Sequence, residues 1–82
     1  MKIMIVDDHE DMRRFLNIMV SHTVESKVEI IECGSGEEAL EKYPIVQPDC
    51  VLMDIELKSM SGFDVADMIY KQDTNANVII VT

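Results

Sequence analysis

Two successive acids close the first apolar run of the chain, and a third acid closes a later one. Asp7 and Asp8 follow KIMIV at residues 2–6, and Asp54 ends the stretch DCVLMD at residues 49–54. In parallel α/β folds ligands bind outside the carboxyl ends of the strands, so these three carboxylates meet on one rim if their strands are neighbours. Crowded carboxylates repel one another. The usual relief is a hard cation with oxygen ligands, such as Mg²⁺, or a raised pKa. With a cation in place the remaining carboxylate can stay ionised and attack a phosphorus centre, because the ion neutralises charge on the incoming phosphoryl oxygens. Thr82 ends the last apolar run, NVIIVT, and brings a hydroxyl that can hydrogen-bond one of those oxygens. Acids at strand ends are also common solubilising residues, so the spacing alone leaves a metal site and a solvated rim both open.

The segments between these acids supply the elements that must position them. KIMIV is a short β-branched run suited to a buried strand. Met12, Phe15, Leu16, Met19 and Val20 then recur at helical spacing, with Arg13, Arg14 and Asn17 on the other face and Glu10 and Asp11 at the favourable end of the helix dipole. Residues 28–33, VEIIEC, read as a second strand. Ser35 and Glu38 form a capping box for a short helix that Pro44 is expected to stop. Residues 49–54 form a third strand. Ser61 and Asp64 repeat the capping device for a third helix carrying Phe63, Ala66, Ile69 and Tyr70 at helical intervals, and residues 77–82 form a fourth strand. The order β-α-β-α-β-α-β, with continuous apolar strands, predicts one unit of α/β class: a three-layer parallel sheet with right-handed crossovers.

Composition narrows the functions that such a rim can serve. Lys plus Arg is 7 against 16 for Asp plus Glu, a formal net charge of -9, which disfavours nucleic acid or an anionic lipid surface as the primary partner. The apolar fraction of 48% argues against disorder, and with no Trp the core must come from Ile, Val, Leu and the seven Met. The two cysteines make neither a disulfide scaffold nor a zinc motif. No apolar run is long enough to span a membrane. The expected setting is cytoplasmic.

MIVDDHEDMRRFL, CGSGEEAL, PDCVLMDIELKSMSG and NVIIVT, in this order and spacing, resemble consecutive blocks of the receiver domain of response regulators, the chemotaxis-regulator-like form of the flavodoxin-like fold. The resemblance covers residues 2–82. It implies a two-component signalling function in which Asp54 is the phosphoacceptor, taking a phosphoryl group from a histidine kinase or phosphotransfer protein as an acyl phosphate. Asp7 and Asp8 match the acidic pair for Mg²⁺, with Asp54 and the backbone carbonyl of Glu56 completing the ligand set. Thr82 matches the switch hydroxyl, and Gly62 the glycine after the loop that follows the acceptor, where a tight turn is expected.

Family receivers continue through a last helix-strand-helix portion beyond the fourth strand, and residues 1–82 match only the part before it. The family's fifth-strand lysine has no counterpart here. Lys58, where the family usually has a proline, reads as a solvated residue on a more mobile loop. By this reading the chain is not a classical enzyme but at most a protein that gains and loses a phosphoryl group at Asp54. The alternative is a truncated or pseudo-receiver fragment serving only protein interaction or self-assembly. An uncovered fourth strand predicts a homo-oligomer through residues 77–82. His9 reads as a rim residue and not a ligand, because the family uses oxygen ligands there. His22, Arg13 and Arg14 read as solvated, and the methionines as flexible core filling.

Overall fold

The computed structural model describes residues 1–23 and 27–81. The elements alternate throughout: β1 (Lys2–Val6), α1 (Glu10–Thr23), β2 (Glu29–Cys33), α2 (Gly36–Val46), β3 (Cys50–Asp54), α3 (Gly62–Gln72) and β4 (Val78–Val81). The strands form one parallel sheet in the order β2-β1-β3-β4. Each strand lies within a residue of its sequence-based bounds at either end. Among the described residues no helix is long and apolar enough to cross a membrane.

Burial divides along the two faces of the sheet, as a period of two requires. Met4, Val6, Val51 and Met53 point to one face, where they form a core with Ala39 and Tyr43 of α2 and Val65 and Ile69 of α3. Ile3 and Ile5 are buried on the opposite face, and α1 packs on their strand. That helix has no buried residue. Met12, Phe15 and Met19, read from the sequence as an apolar stripe, are all about half exposed, as is Ile79 of β4. In α3 the buried face is Val65, Ala66 and Ile69, while Phe63 and Tyr70 lie outside it.

The helix ends follow local chemistry. Ser35 caps α2 by accepting from the Glu38 N–H at 3.0 Å, and the Glu38 carboxylate reaches back to the Gly34 N–H at 2.8 Å, one residue before the cap. At α3 the Ser61 hydroxyl accepts instead from the Phe63 N–H at 3.1 Å. Pro44 does not stop α2, contrary to expectation: the helix runs on to Val46. Proline forfeits its own donor to the preceding turn, but the Tyr43 carbonyl is still taken by the Gln47 N–H at 2.9 Å, with Gln47 in the left-handed region at φ 51°. Pro44 sits so near the helix end that little ladder remains to lose.

Gly62 joins this frame to the rim. Its φ is not positive, so the expected reason for a glycine, a tight turn, gives way to a steric one. Its N–H donates to the Ile55 carbonyl at 2.7 Å, and a Cβ there would stand 2.0 Å from the Asp54 carbonyl oxygen. Any side chain must push α3 away from the end of β3. Overpacking of this kind costs about 1–3 kcal/mol or more. Gly62→Ala is therefore expected to lower the urea midpoint by at least about 1 kcal/mol of stability, and to shift the amide resonances of Asp54 and Glu56 more than those of β2. A neutral substitution with unmoved resonances would show that the close approach is not a constraint.

Candidate functional site

The sheet register brings the acids together. Val6 of β1 is level with Met53 of β3, and Asp54 is level with Val81 of β4. Asp7 and Asp54 therefore each stand one residue past a matched pair, side by side at the carboxyl rim. The Asp7 backbone is fixed from two directions: its N–H donates to the Cys33 carbonyl at 3.1 Å, and the Arg13 guanidinium donates to its carbonyl at 2.8 Å. Its side chain turns into a local cap, accepting the His9 N–H on Oδ1 at 2.8 Å.

Asp7, Asp8, His9 and Asp54 each offer one ligand atom, and these atoms all lie within 4.8 Å of one another. The Asp8 side chain is 6% exposed, and its Oδ1 is buried without a hydrogen-bond partner. His9 Nδ1 stands 3.1 Å from that oxygen and 3.3 Å from Asp7 Oδ1. Asp54 Oδ1 accepts only the Glu56 N–H, at 3.3 Å. Burial pushes the Asp54 carboxyl above its ordinary value, and the charges of Asp7 and Asp8 push the same way, against the Glu56 N–H and His9. The site is thus short of positive charge. Among the described residues no lysine pairs with Asp54; Lys42 and Lys71 are paired with Glu38 and Asp67.

The loop after Asp54 forms one wall. Leu57 is buried in the core, and Ser59 donates to the Glu37 carboxylate of α2 at 2.6 Å, which holds that carboxyl below its ordinary value. Lys58 is exposed between these two anchors. Met12, Glu10 and Val81 complete a cleft of about 650 Å³ over Asp7, His9 and Asp54.

Of the residues singled out in the sequence, Asp7, Asp8 and Asp54 converge. Glu56 lines the same cleft with its side chain exposed, and reaches Asp54 through its backbone N–H. Thr82 lies outside the described residues, although its neighbour Val81 lines the cleft. Arg13 corrects its sequence reading. Its side chain is only 19% exposed, and it ties Asp7 to Glu32. His9 faces the carboxylates. The signal for both was proximity to the acid pair, one residue and five residues beyond Asp8, but only the turn geometry gives it direction.

The family model of the response regulator receiver domain matches residues 3–82. The chain is similar to the chemotaxis protein CheY of Thermotoga maritima, with 38% identity over 80 residues, covering 96% of this chain and 64% of that protein. The crystal structure of the response regulator protein TrrA of Thermotoga maritima, in complex with Mg(2+)-BeF, superposes with a TM-score of 0.89 at 34% identity, over 96% of this chain and 66% of that one. TrrA in complex with the histidine kinase ThkA gives a TM-score of 0.88 at the same 34% identity, over 99% of this chain and 67% of that one. The chain therefore spans about two thirds of these relatives, and on a match that runs from Ile3 to its last residue it belongs to the response regulator receiver domain family.

Proposed function

We propose that the chain is the β1 to β4 part of a phosphoacceptor receiver, with Asp54 as the residue that takes the phosphoryl group from a histidine kinase or phosphotransfer protein. The observation that carries this reading is the convergence of three carboxylates around a buried Asp8 oxygen that no protein donor satisfies. An orphaned, buried, negatively charged oxygen is costly unless a cation meets it. The donor set fits a hard divalent ion: Asp7, Asp8, Asp54 and the backbone carbonyl of Glu56 would hold Mg²⁺, which when bound supplies positive charge opposite the phosphoryl oxygens.

The chain's own part is to present one oxygen. A carboxylate oxygen of Asp54 forms a bond to phosphorus as the phosphorus–nitrogen bond of a phosphohistidine donor breaks. The electron pair leaves with the imidazole nitrogen, which takes up a proton, and an acyl phosphate remains on Asp54. The Glu56 N–H orients the acceptor. Thr82, next in chain to Val81, is assigned the switch hydroxyl.

A second reading is a receiver that serves interaction without phosphotransfer, pairing copies through Val78–Val81. The half-exposed apolar residues Met12, Phe15, Met19 and Ile79 favour it. Incubation with acetyl phosphate and Mg²⁺, followed by intact mass spectrometry, separates the two. The phosphoacceptor reading expects one phosphoryl group, absent from Asp54→Asn and absent when the cation is chelated. Label that persists in the variant refutes the site, and no label on a folded chain supports the second reading.

The burial of Asp54 beside two other carboxylates also has a stability signature. Because the Asp54 pKa is raised in the folded state, folding favours its protonated form. That contribution is fully present below the ordinary value of 3.8 and is lost as pH rises through the raised one. At neutral pH the native chain therefore carries a penalty that Asn lacks. Asp54→Asn is expected to melt a few degrees higher than the native chain at neutral pH without divalent ions, with the two curves converging under acid and in saturating Mg²⁺. A variant that melts lower at neutral pH would remove the repulsion from the account.

A further inference from the structure

We infer that His9 is a nitrogen ligand of the cation at this rim, so that the site takes borderline divalent ions such as Co²⁺ or Zn²⁺ with an advantage over Mg²⁺ that carboxylates alone would not give. The inference rests on the reading of the rim as a divalent-cation site and goes beyond it in adding an imidazole to an oxygen set.

Geometry is the first support. Two ligand atoms, each about 2.1 Å from one ion, lie about 3.0 Å apart at octahedral angles and about 3.4 Å apart at tetrahedral ones. His9 Nδ1 is 3.1 Å from Asp8 Oδ1 and 3.3 Å from Asp7 Oδ1. Both pairs already have the spacing of neighbouring corners of a coordination polyhedron. The second support is the unpartnered Asp8 Oδ1, on a side chain 6% exposed, which faces His9 Nδ1 without receiving a hydrogen bond from it.

The backbone makes this placement reproducible. The His9 N–H is held by Asp7 Oδ1 at 2.8 Å, and the His9 carbonyl accepts the Arg13 N–H at 3.0 Å in the first turn of α1. Only the side-chain torsions are left to aim the ring. The ring is not packed in place, because the His9 side chain is 69% exposed; its contacts are the two carboxylates, with Nδ1 at hydrogen-bonding distance, 3.3 Å, from Asp7 Oδ1. Imidazole suits zinc, copper, nickel and iron, whereas carboxylate and carbonyl oxygens suit magnesium, calcium and manganese. A mixed set of this kind discriminates among ions by its nitrogen.

The test is pulsed electron paramagnetic resonance of Mn²⁺ bound to the native chain, to His9→Ala and to Asp8→Asn, with Zn²⁺ and Mg²⁺ affinities measured by competition. Coordinated imidazole imprints nitrogen modulation on the Mn²⁺ echo. The expected result is modulation in the native chain, its loss in His9→Ala, and weak binding throughout in Asp8→Asn. Loss of an outer-shell partner alone commonly costs about 10–100-fold in metal affinity, so loss of the direct ligand should lower the Zn²⁺-to-Mg²⁺ affinity ratio by at least about tenfold. Circular dichroism of His9→Ala checks that this exposed substitution leaves the fold intact. Mn²⁺ binding without nitrogen modulation, and an affinity ratio unchanged in His9→Ala, would overturn the inference: His9 would then merely cap the carboxylates, and the oxygen site would stand. No divalent binding by the folded native chain would overturn the inference and the metal reading beneath it together.

Discussion

The constraint on which the rest depends is electrostatic: a parallel sheet ends three carboxylates at one level, and their ligand atoms lie with that of His9 inside 4.8 Å. Like charges at that separation resist both folding and desolvation. Yet the register leaves no freedom to spread them, since Val6 is locked level with Met53 and Asp54 with Val81. Hydrophobic burial of Met4, Val6, Val51 and Met53 holds the strands in that register, because a one-residue slip would turn every one of these side chains to the other face. The core thus sustains the strain at the rim.

Backbone ties carry the same logic into the loops. Arg13 could neutralise a carboxylate of the rim, but its guanidinium is directed to the Asp7 carbonyl and pairs with Glu32, so its charge lies beside the site and its role there is positional. Gly62 lets α3 begin against the Asp54 carbonyl, and Leu57 and Ser59 anchor the intervening loop on the core and on α2. Asp54 is immobilised from behind. What faces outward is a cluster of oxygens and one imidazole.

Much of this was legible in the sequence, for identifiable reasons. Short apolar runs located all four strands, and the Ser35 and Glu38 spacing located the start of α2, because those signals act over a few residues. Pro44 misled because the cost of proline depends on how many helical bonds follow it, which is not a local property. The stripe on α1 misled differently. Periodicity reports that one side of a helix is apolar, but it does not report whether a second layer covers that side, and here Met12, Phe15 and Met19 stay half exposed. Arg13 escaped because its role depends on where a turn aims it, whereas His9 stands on the rim as its place in the sequence implied.

The helix starts show how far the rim balances its own charge. α1 begins just after β1, and α3, after the loop of residues 55–61, begins against the Asp54 carbonyl, so both first turns lie near the carboxylates. Each helix N-terminus is equivalent to roughly half a positive charge. The balance is partial, because α1 spends much of that field on its own first-turn acids, Glu10 and Asp11, which line the same cleft. At α3 the Ser61 hydroxyl takes the Phe63 N–H and the Ile55 carbonyl takes the Gly62 N–H, so two donors that could have faced Asp54 are already used. The backbone thus limits the repulsion without cancelling it, and Asp8 Oδ1 remains the atom on which the deficit falls. A rim neutralised by its own helices would leave no such oxygen; this one keeps a localised excess of negative charge beside Asp54.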